Sequence, residues 1–198
     1  MPSRFPRLKW AAAGFLAAYV PGYALAYGLA NFVFLCDLSV ILATVGIWTS
    51  SRLLLSSQAV ASLLVGVAWT VDVASRLLTG SHLIGATAYM WDPQRPLFAR
   101  LLSLYHVVLP VVLVRALRRI GYDARGYWLQ SAIAIVAVAA GRLFGSAANI
   151  NYAFVDPLLK RTWGGPVTHV AAVAGFLVLL VYPLTHLLLV RLCPRPRP

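Results

Sequence analysis

The sequence predicts an all-α integral membrane protein, a single domain folded as a bundle of about six transmembrane helices. Hydrophobic residues make up 61% of the 198 residues. Charged residues make up only 11%, whereas soluble domains carry about 25%. Apolar runs close to the length of about 20 residues that spans the hydrocarbon core recur along the whole chain.

Six apolar runs are predicted to span the membrane: residues 8–28, 32–49, 53–78, 97–117, 127–148 and 166–192. Ser50-Ser51-Arg52 forms the turn between the second and third runs. Residues 79–96 and 149–165 are the two long irregular segments, and the first of them is rich in Gly and Pro. The basic N-terminus and Ala24-Leu25-Ala26 also fit a cleaved signal peptide. Because further spans follow at once, we expect an uncleaved first helix.

The distribution of basic residues predicts the orientation of the bundle. Eleven of the 17 basic residues lie on the side of the two termini, namely Arg4, Arg7, Lys9, Arg52, Arg115, Arg118, Arg119, Arg125, Arg191, Arg195 and Arg197. The positive-inside rule then places both termini in the cytoplasm, most simply in a bacterial inner membrane. The net charge is +12. The basic residues lie between the apolar runs and do not form one basic face, so we expect them to contact anionic lipid headgroups and not nucleic acid.

Polar residues inside the predicted spans concentrate in the half of the bilayer that borders the two irregular segments. Ionisable groups in a span are costly, and each is a candidate for function. The other half is nearly bare of such groups apart from His186. We therefore expect one site, open to the outer side. Its members are Cys36, Asp37, Asp72, His106, Asn149, Asn151 and His169.

This set contains the groups that acyl transfer or ester hydrolysis requires. A neighbouring histidine can activate a cysteine thiol, so Cys36 is the candidate nucleophile and His106 the candidate base. Asp37, Asp72, Asn149 and Asn151 are the candidate supporting groups.

Each of these residues also has a structural interpretation. His106 precedes Pro110 by four residues, so its side chain can bond a carbonyl freed by the proline. The aspartates can pair with Arg76 or with the asparagines, and the asparagines can cap the fifth helix.

Three short motifs resemble a YwaF-like family of bacterial integral membrane proteins: Leu35-Cys36-Asp37-Leu38, His106, and Asn151-Tyr152. That family is similar to eukaryotic transmembrane acyltransferases with a Cys and His pair, and to androgen-induced-gene hydrolases with a Thr and His pair. The resemblance implies a lipid acyl hydrolase or acyltransferase that uses Cys36 and His106. The family tends to have Gly-His-Gly-Gly at its histidine, where this chain has Tyr105-His106-Val107-Val108.

Other functions stay open at this point. One alternative is a small-solute transporter, and another is a non-catalytic subunit that binds a membrane-protein partner. A zinc-dependent hydrolase would use His82, His106, His169 and an aspartate, but the sequence lacks a His-Glu-x-x-His motif, and we expect neither a metal nor a cofactor. Membrane lipid is the expected partner.

Overall fold

The computed structural model describes residues 4–194, and within this range the chain is helical and contains no strand. The predicted all-α fold is therefore confirmed for the described residues. Arg195 and Arg197, which the orientation argument uses, lie outside them. The helices are α1 Pro6–Tyr27, α2 Leu35–Thr49, α3 Arg52–Thr79, α4 Leu97–Leu102, α5 Tyr105–Ile120, α6 Arg125–Gly141, α7 Pro166–Phe176 and α8 Tyr182–Leu192. Short 3₁₀ turns cover Leu29–Val33, Ala88–Trp91, Arg142–Phe144 and Ile150–Tyr152, and a π turn covers Leu177–Val181.

These helices form six long segments, because α4 continues into α5 and α7 continues through the π turn into α8. The second segment begins as an α-helix only at Leu35, because Leu29–Val33 is a 3₁₀ turn. The fifth ends at Phe144, because Gly145 takes a positive φ of 80° that stops the helix. A break at Ser103 and Leu104 separates α4 from α5.

Four of the segments are long and apolar enough to cross a membrane: Arg52–Thr79, Leu97–Ile120, Arg125–Phe144 and Pro166–Leu192. Helix α2 is also apolar, but its 15 residues are fewer than the span of about 20 that a bilayer core requires. The membrane character of the chain is thus supported by four helices.

The six segments alternate in direction between two ends of the bundle. At one end, which we call the termini end, the Tyr122 amide donates to the Cys193 carbonyl at 3.0 Å, and Trp48 Nε1 donates to the Lys9 carbonyl at 3.0 Å. At the other, the loop end, Lys160 Nζ donates to the Ile84 carbonyl at 3.2 Å. Residues 4 and 194 therefore lie at the same end.

Helix α3 is the central element and packs against α2, α5, α6 and α8. Near the termini end it contributes Leu55, which has no exposed surface, to an apolar core that also contains Leu113 and Leu189. Gly126 brings the start of α6 against the backbone of α3, where an added Cβ would lie 2.8 Å from the Ser57 nitrogen. Near the termini end, α3 is therefore packed closely against both α5 and α6.

Candidate functional site at the loop end

Asp37 is the centre of a buried hydrogen-bond cluster. It lies in the first turn of α2, where a carboxylate interacts favourably with the helix dipole, and it is 3% exposed. The Tyr105 hydroxyl donates to its Oδ1 at 2.8 Å, and Asn31 Nδ2 donates to its Oδ2 at 2.6 Å. The Tyr19 hydroxyl donates to Oδ1 as well. Three donors therefore hold this carboxylate in the interior.

Two tyrosines of α1, Tyr19 and Tyr23, line the cluster with almost no exposed surface. They are one helical turn apart, and their ring centroids are 4.3 Å apart. The Tyr23 hydroxyl bonds Ser103 Oγ at the α4–α5 break. The sequence interpretation missed these residues, although tyrosines at positions 19, 23 and 27 mark one polar-tipped face of a helix.

Cys36 is the second residue of α2 and is partly exposed. It packs against the cluster formed by Tyr19, Tyr23, Val40 and Tyr105. Among residues 4–194, no hydrogen bond joins Cys36 to His106.

His106 is the second residue of α5 and is 9% exposed. Its Nδ1 donates to the Ser103 carbonyl at 2.9 Å, which leaves the lone pair on Nε2. The ring lies between Trp69, with centroids 4.9 Å apart, and Tyr105, with centroids 4.2 Å apart. Nε2 has no hydrogen-bond partner in the described part of the chain. His106 is therefore a fixed imidazole with one unused nitrogen.

The structure decides between two interpretations of His106 and Pro110. The His106 side chain does not bond a carbonyl freed by the proline, because it bonds Ser103. The freed carbonyl is that of His106 itself, since Pro110 has no N–H to donate to it. The His106 carbonyl packs against Gly66 of α3. A Cβ added to Gly66 would overlap the His106 carbonyl oxygen and lie 2.8 Å from Pro110 Cγ. Gly66 therefore allows α3 and α5 to pack backbone to backbone at His106.

Asp72 has a structural role in the loop that follows α3. It has no exposed surface and accepts hydrogen bonds from the amides of Ile84 at 2.6 Å, Gly85 at 3.1 Å and Thr87 at 3.0 Å. The Thr87 hydroxyl adds a fourth at 2.5 Å. Among the described residues, Asp72 therefore bonds this loop and not Arg76 or an asparagine, the pairing that its structural interpretation allowed. Asp72 holds the loop closed and does not contact the Asp37 cluster.

Asn151 ties the second irregular segment to the start of α2. Its Oδ1 accepts from the Leu35 amide at 2.8 Å, and its Nδ2 donates to the carbonyls of Val33 at 2.8 Å and Ala137 at 3.0 Å. It therefore caps the start of α2 and also bonds a carbonyl near the end of α6, the fifth predicted span. Within residues 4–194, the Asn149 side chain bonds its own loop, accepting from the amides of Phe154 and Val155 and donating to the Val155 carbonyl.

His169 lies in α7 with no exposed surface and uses both ring nitrogens. Nε2 donates to the Tyr152 carbonyl at 2.9 Å, and Nδ1 accepts from the Trp163 amide at 3.1 Å. Asp156, which the sequence interpretation passed over, organises the same segment. Backbone N–H groups, chiefly that of Leu159 at 2.6 Å, hold the pKa of Asp156 below its usual range. Both residues shape the loop end rather than the cluster around Asp37.

The half of the bundle nearer the termini end is less bare than the sequence suggested. Gln58 and Gln130 are each 1% exposed there, and Gln130 Nε2 donates to the Tyr182 hydroxyl at 3.3 Å. Buried polar side chains that do not ionise are therefore present in this half as well.

The candidate zinc ligands do not come together. His82 lies beside Thr87 and Asp72, whereas His106 and His169 lie in separate clusters. Within residues 4–194 no three His, Cys, Asp or Glu side chains are grouped as metal ligands.

The chain has no match in the comparisons with known proteins. No family model, curated protein or solved structure matches it.

Proposed function

We propose that this chain is a membrane-embedded lipid acyl hydrolase or acyltransferase, with six spans and both termini in the cytoplasm. Four apolar segments and the shared position of residues 4 and 194 support this topology. Exposed tryptophans near the termini end, Trp10, Trp48 and Trp128, suit the membrane–water interface at that end.

The catalytic proposal is based on His106, whose ring is fixed and whose Nε2 has no hydrogen-bond partner in the described part of the chain. A general base needs a lone pair that is not already engaged, and a ring whose orientation is fixed. Donation from Nδ1 to Ser103 sets the tautomer, while Trp69 and Tyr105 hold the ring on its two faces. His169 offers no such nitrogen because both of its nitrogens are bonded.

The register of α2 against α3 supports Cys36 as the nucleophile. Gly46 packs against Leu55, where an added Cβ would lie 3.0 Å from the leucine Cδ2. The two helices are antiparallel and rise equally per residue. About ten residues from this contact along each helix, Cys36 of α2 therefore lies at the depth of Val65 of α3, next to Gly66. His106 meets α3 at Gly66, and Cys36 also packs beside Tyr105. The two residues therefore have similar depth along the α2–α3–α5 interface, which supports pairing them in this proposal.

The proposed reaction begins when Nε2 of His106 takes the proton of the Cys36 thiol. The sulfur then forms a bond to the ester carbonyl carbon of an acyl lipid. The carbon–oxygen bond of the ester breaks, and the leaving alcohol receives the proton from His106. Water or a second lipid hydroxyl, deprotonated by His106, then attacks the thioester and the thiol is restored.

Asp37 has a positioning role in this proposal. Tyr19, Tyr105 and Asn31 take up three of its roughly four lone-pair sites, and in this proposal it is not the base. It holds Tyr105, whose ring stacks on His106. By fixing Tyr105, Asp37 would keep the His106 ring in its position relative to Cys36.

The test is labelling of the purified protein with a thiol-reactive acyl probe, followed by identification of the labelled residue. We expect Cys36 to be acylated, Cys36→Ser to abolish that label, and His106→Ala to slow it by about a hundredfold or more. Cys193→Ser is the matched control, because Cys193 lies at the termini end. His186→Ala is the matched histidine control.

Acylation of Cys36 at the same rate in wild type and His106→Ala would contradict the proposal. So would turnover of acyl lipids that continues in Cys36→Ser. If the two acylation rates are equal and no lipid turnover is found, the transporter alternative is favoured, and the buried amides Gln58 and Gln130, of which Gln130 Oε1 has no partner within residues 4–194, become its candidate polar groups.

A further inference from the structure

Two serines of the helical bundle have buried hydroxyl groups without a hydrogen-bond partner in the described part of the chain. They are Ser39 of α2, which is 1% exposed, and Ser62 of α3. A buried hydroxyl that makes no hydrogen bond costs free energy, so such groups are normally paired with protein or with water. Each of these two serines therefore requires a partner that residues 4–194 do not supply.

Other hydroxyl groups in the helices are satisfied by their own helix. Thr44, Thr70 and Ser131 each donate to the carbonyl four residues earlier, at 2.9, 2.7 and 2.8 Å. This bond is open to any serine inside a helix, yet Ser39 and Ser62 do not make it, and among the described residues no hydrogen bond joins them to each other. Both hydroxyls are therefore free to bind a third group.

The spacing along α2 and α3 places the two serines opposite one another. Gly46 contacts Leu55 near the turn that joins these antiparallel helices. Ser39 lies seven residues before Gly46, and Ser62 lies seven residues after Leu55. Seven residues make almost two helical turns and return to nearly the same face of a helix. The two serines therefore have the same depth and lie on the faces of α2 and α3 that meet.

The serine pair is next to the proposed acyl-transfer site. Cys36 precedes Ser39 by three residues on α2, and residues at this spacing are neighbours on a helix surface. Gly66, which contacts the His106 carbonyl, follows Ser62 by four residues on α3. The pair is therefore about one helical turn from both the proposed nucleophile and the proposed base, toward the termini end.

We propose that Ser39 and Ser62 together bind one water molecule between α2 and α3, and that this water is the acyl acceptor, so that the reaction is hydrolysis. The acceptor role rests on the proposed function. Water fits the pair because it donates and accepts hydrogen bonds, and one molecule can join two hydroxyls. A lipid alcohol does not fit, since α2 and α3 are joined by a tight turn at Ser50 and Ser51 and stay packed at Gly46.

The bound water would complete the second half of the proposed reaction. Its oxygen forms a bond to the carbonyl carbon of the Cys36 thioester, while Nε2 of His106 takes its proton. The carbon–sulfur bond breaks, and the sulfur receives that proton from His106. The products are a free fatty acid and the restored thiol. Ser39 and Ser62 hold the water on the side of the thioester that faces the termini end.

The first measurement is a double-mutant cycle on thermal unfolding of the full chain in detergent. We expect Ser39→Ala and Ser62→Ala each to lower the unfolding midpoint by about 2–4 °C, because each leaves the other hydroxyl without its water-mediated bond. The double variant should lie no lower than the single variants, since the water is already lost. Ser131→Ala is the control, because the Ser131 hydroxyl bonds its own helix, and it should shift the midpoint less.

The second measurement is the ratio of products formed from a short-chain p-nitrophenyl ester in water that contains 1-butanol, after subtraction of the Cys36→Ser background. Free acid reports water as the acceptor, and butyl ester reports the alcohol. We expect Ser39→Ala and Ser62→Ala to lower the ratio of free acid to butyl ester by about tenfold. A variant that only disturbs the fold would lower both products together. Ser131→Ala should keep the wild-type ratio.

Unchanged or higher midpoints in both single variants would overturn the water site, because removal of an unpaired buried hydroxyl does not destabilise a protein. Additive losses in the double variant would overturn it as well. A wild-type product ratio in both serine variants would overturn the acceptor role. If Cys36 is not acylated at all, the acyl-transfer proposal fails and the acceptor role fails with it, whereas the unfolding midpoints still decide whether the serines bind water.

Discussion

The imidazole of His106 lies parallel to the indole of Trp69, with ring centroids 4.9 Å apart and planes 4° apart. The two residues come from different helices, α5 and α3. Trp69 is itself fixed, because its Nε1 donates to the Tyr89 hydroxyl at 3.1 Å. The orientation of the candidate base is therefore set by a neighbouring helix.

Replacement of Trp69 should reduce acylation of Cys36 without unfolding the protein. Small displacements of catalytic groups cost large factors in rate, so we expect Trp69→Ala to slow labelling by about tenfold or more. Trp69→Phe keeps a flat ring beside His106 and should retain most of the rate. Trp128→Ala is the control, because Trp128 is 70% exposed. An unchanged labelling rate in Trp69→Ala would show that the stacking has no part in the chemistry.

Gly66→Ala should destabilise the bundle. The new methyl group would overlap the His106 carbonyl oxygen and press on Pro110, and overpacking of this kind costs about 1–3 kcal/mol. Gly14→Ala adds the same methyl group where no atom lies within 4 Å, and it should be neutral or stabilising. The measurement is the thermal unfolding midpoint of each variant in the same detergent. Equal midpoints for the two variants would mean that α3 and α5 do not pack closely at this point.

Asn151 should contribute to the stability of the fold through both its side chain and its backbone conformation. Its φ is 52°, in the left-handed region, and its side chain makes three hydrogen bonds. Asn151→Gly keeps the backbone conformation but loses the side-chain hydrogen bonds, and it should lower the free energy of unfolding by about 1–2 kcal/mol. Asn151→Ala should cost about 1 kcal/mol more, because alanine resists positive φ. Unfolding in a denaturant series measures both costs, and equal stability of the two variants would contradict the backbone argument.

Acid should destabilise the loop between α5 and α6 through Asp123. Hydrogen bonds from the Arg125 side chain are the main cause that holds the pKa of Asp123 below its usual range. A carboxyl with a lowered pKa in the folded state contributes stability above its unfolded pKa of about 3.9, and this contribution is lost as pH falls. Asp123→Asn and Arg125→Gln should therefore both flatten the decline in unfolding midpoint between about pH 5 and pH 3. Arg119→Gln, which makes no described bond to Asp123, should keep the wild-type slope.

The cluster around Asp37 illustrates how far the residues of this site can be predicted. A buried carboxylate in an apolar run requires partners, so the importance of Asp37 follows from its position alone. The identity of the partners does not follow, because Tyr19 and Tyr105 are 18 and 68 residues away in the chain. Asp72 looks equivalent to Asp37 in the sequence, yet its partners are amides of the adjacent loop.

The sequence by itself determined the helical class, the number of long segments and the concentration of titratable side chains near the two irregular segments. These properties depend on composition, run length and helical rise, which are local. Only the tertiary structure decided which polar side chains meet, because contacts between helices depend on their packing and register. Gly66 is the clearest instance: the lack of a side chain there brings α3 against His106, and no local pattern predicts which helix it approaches.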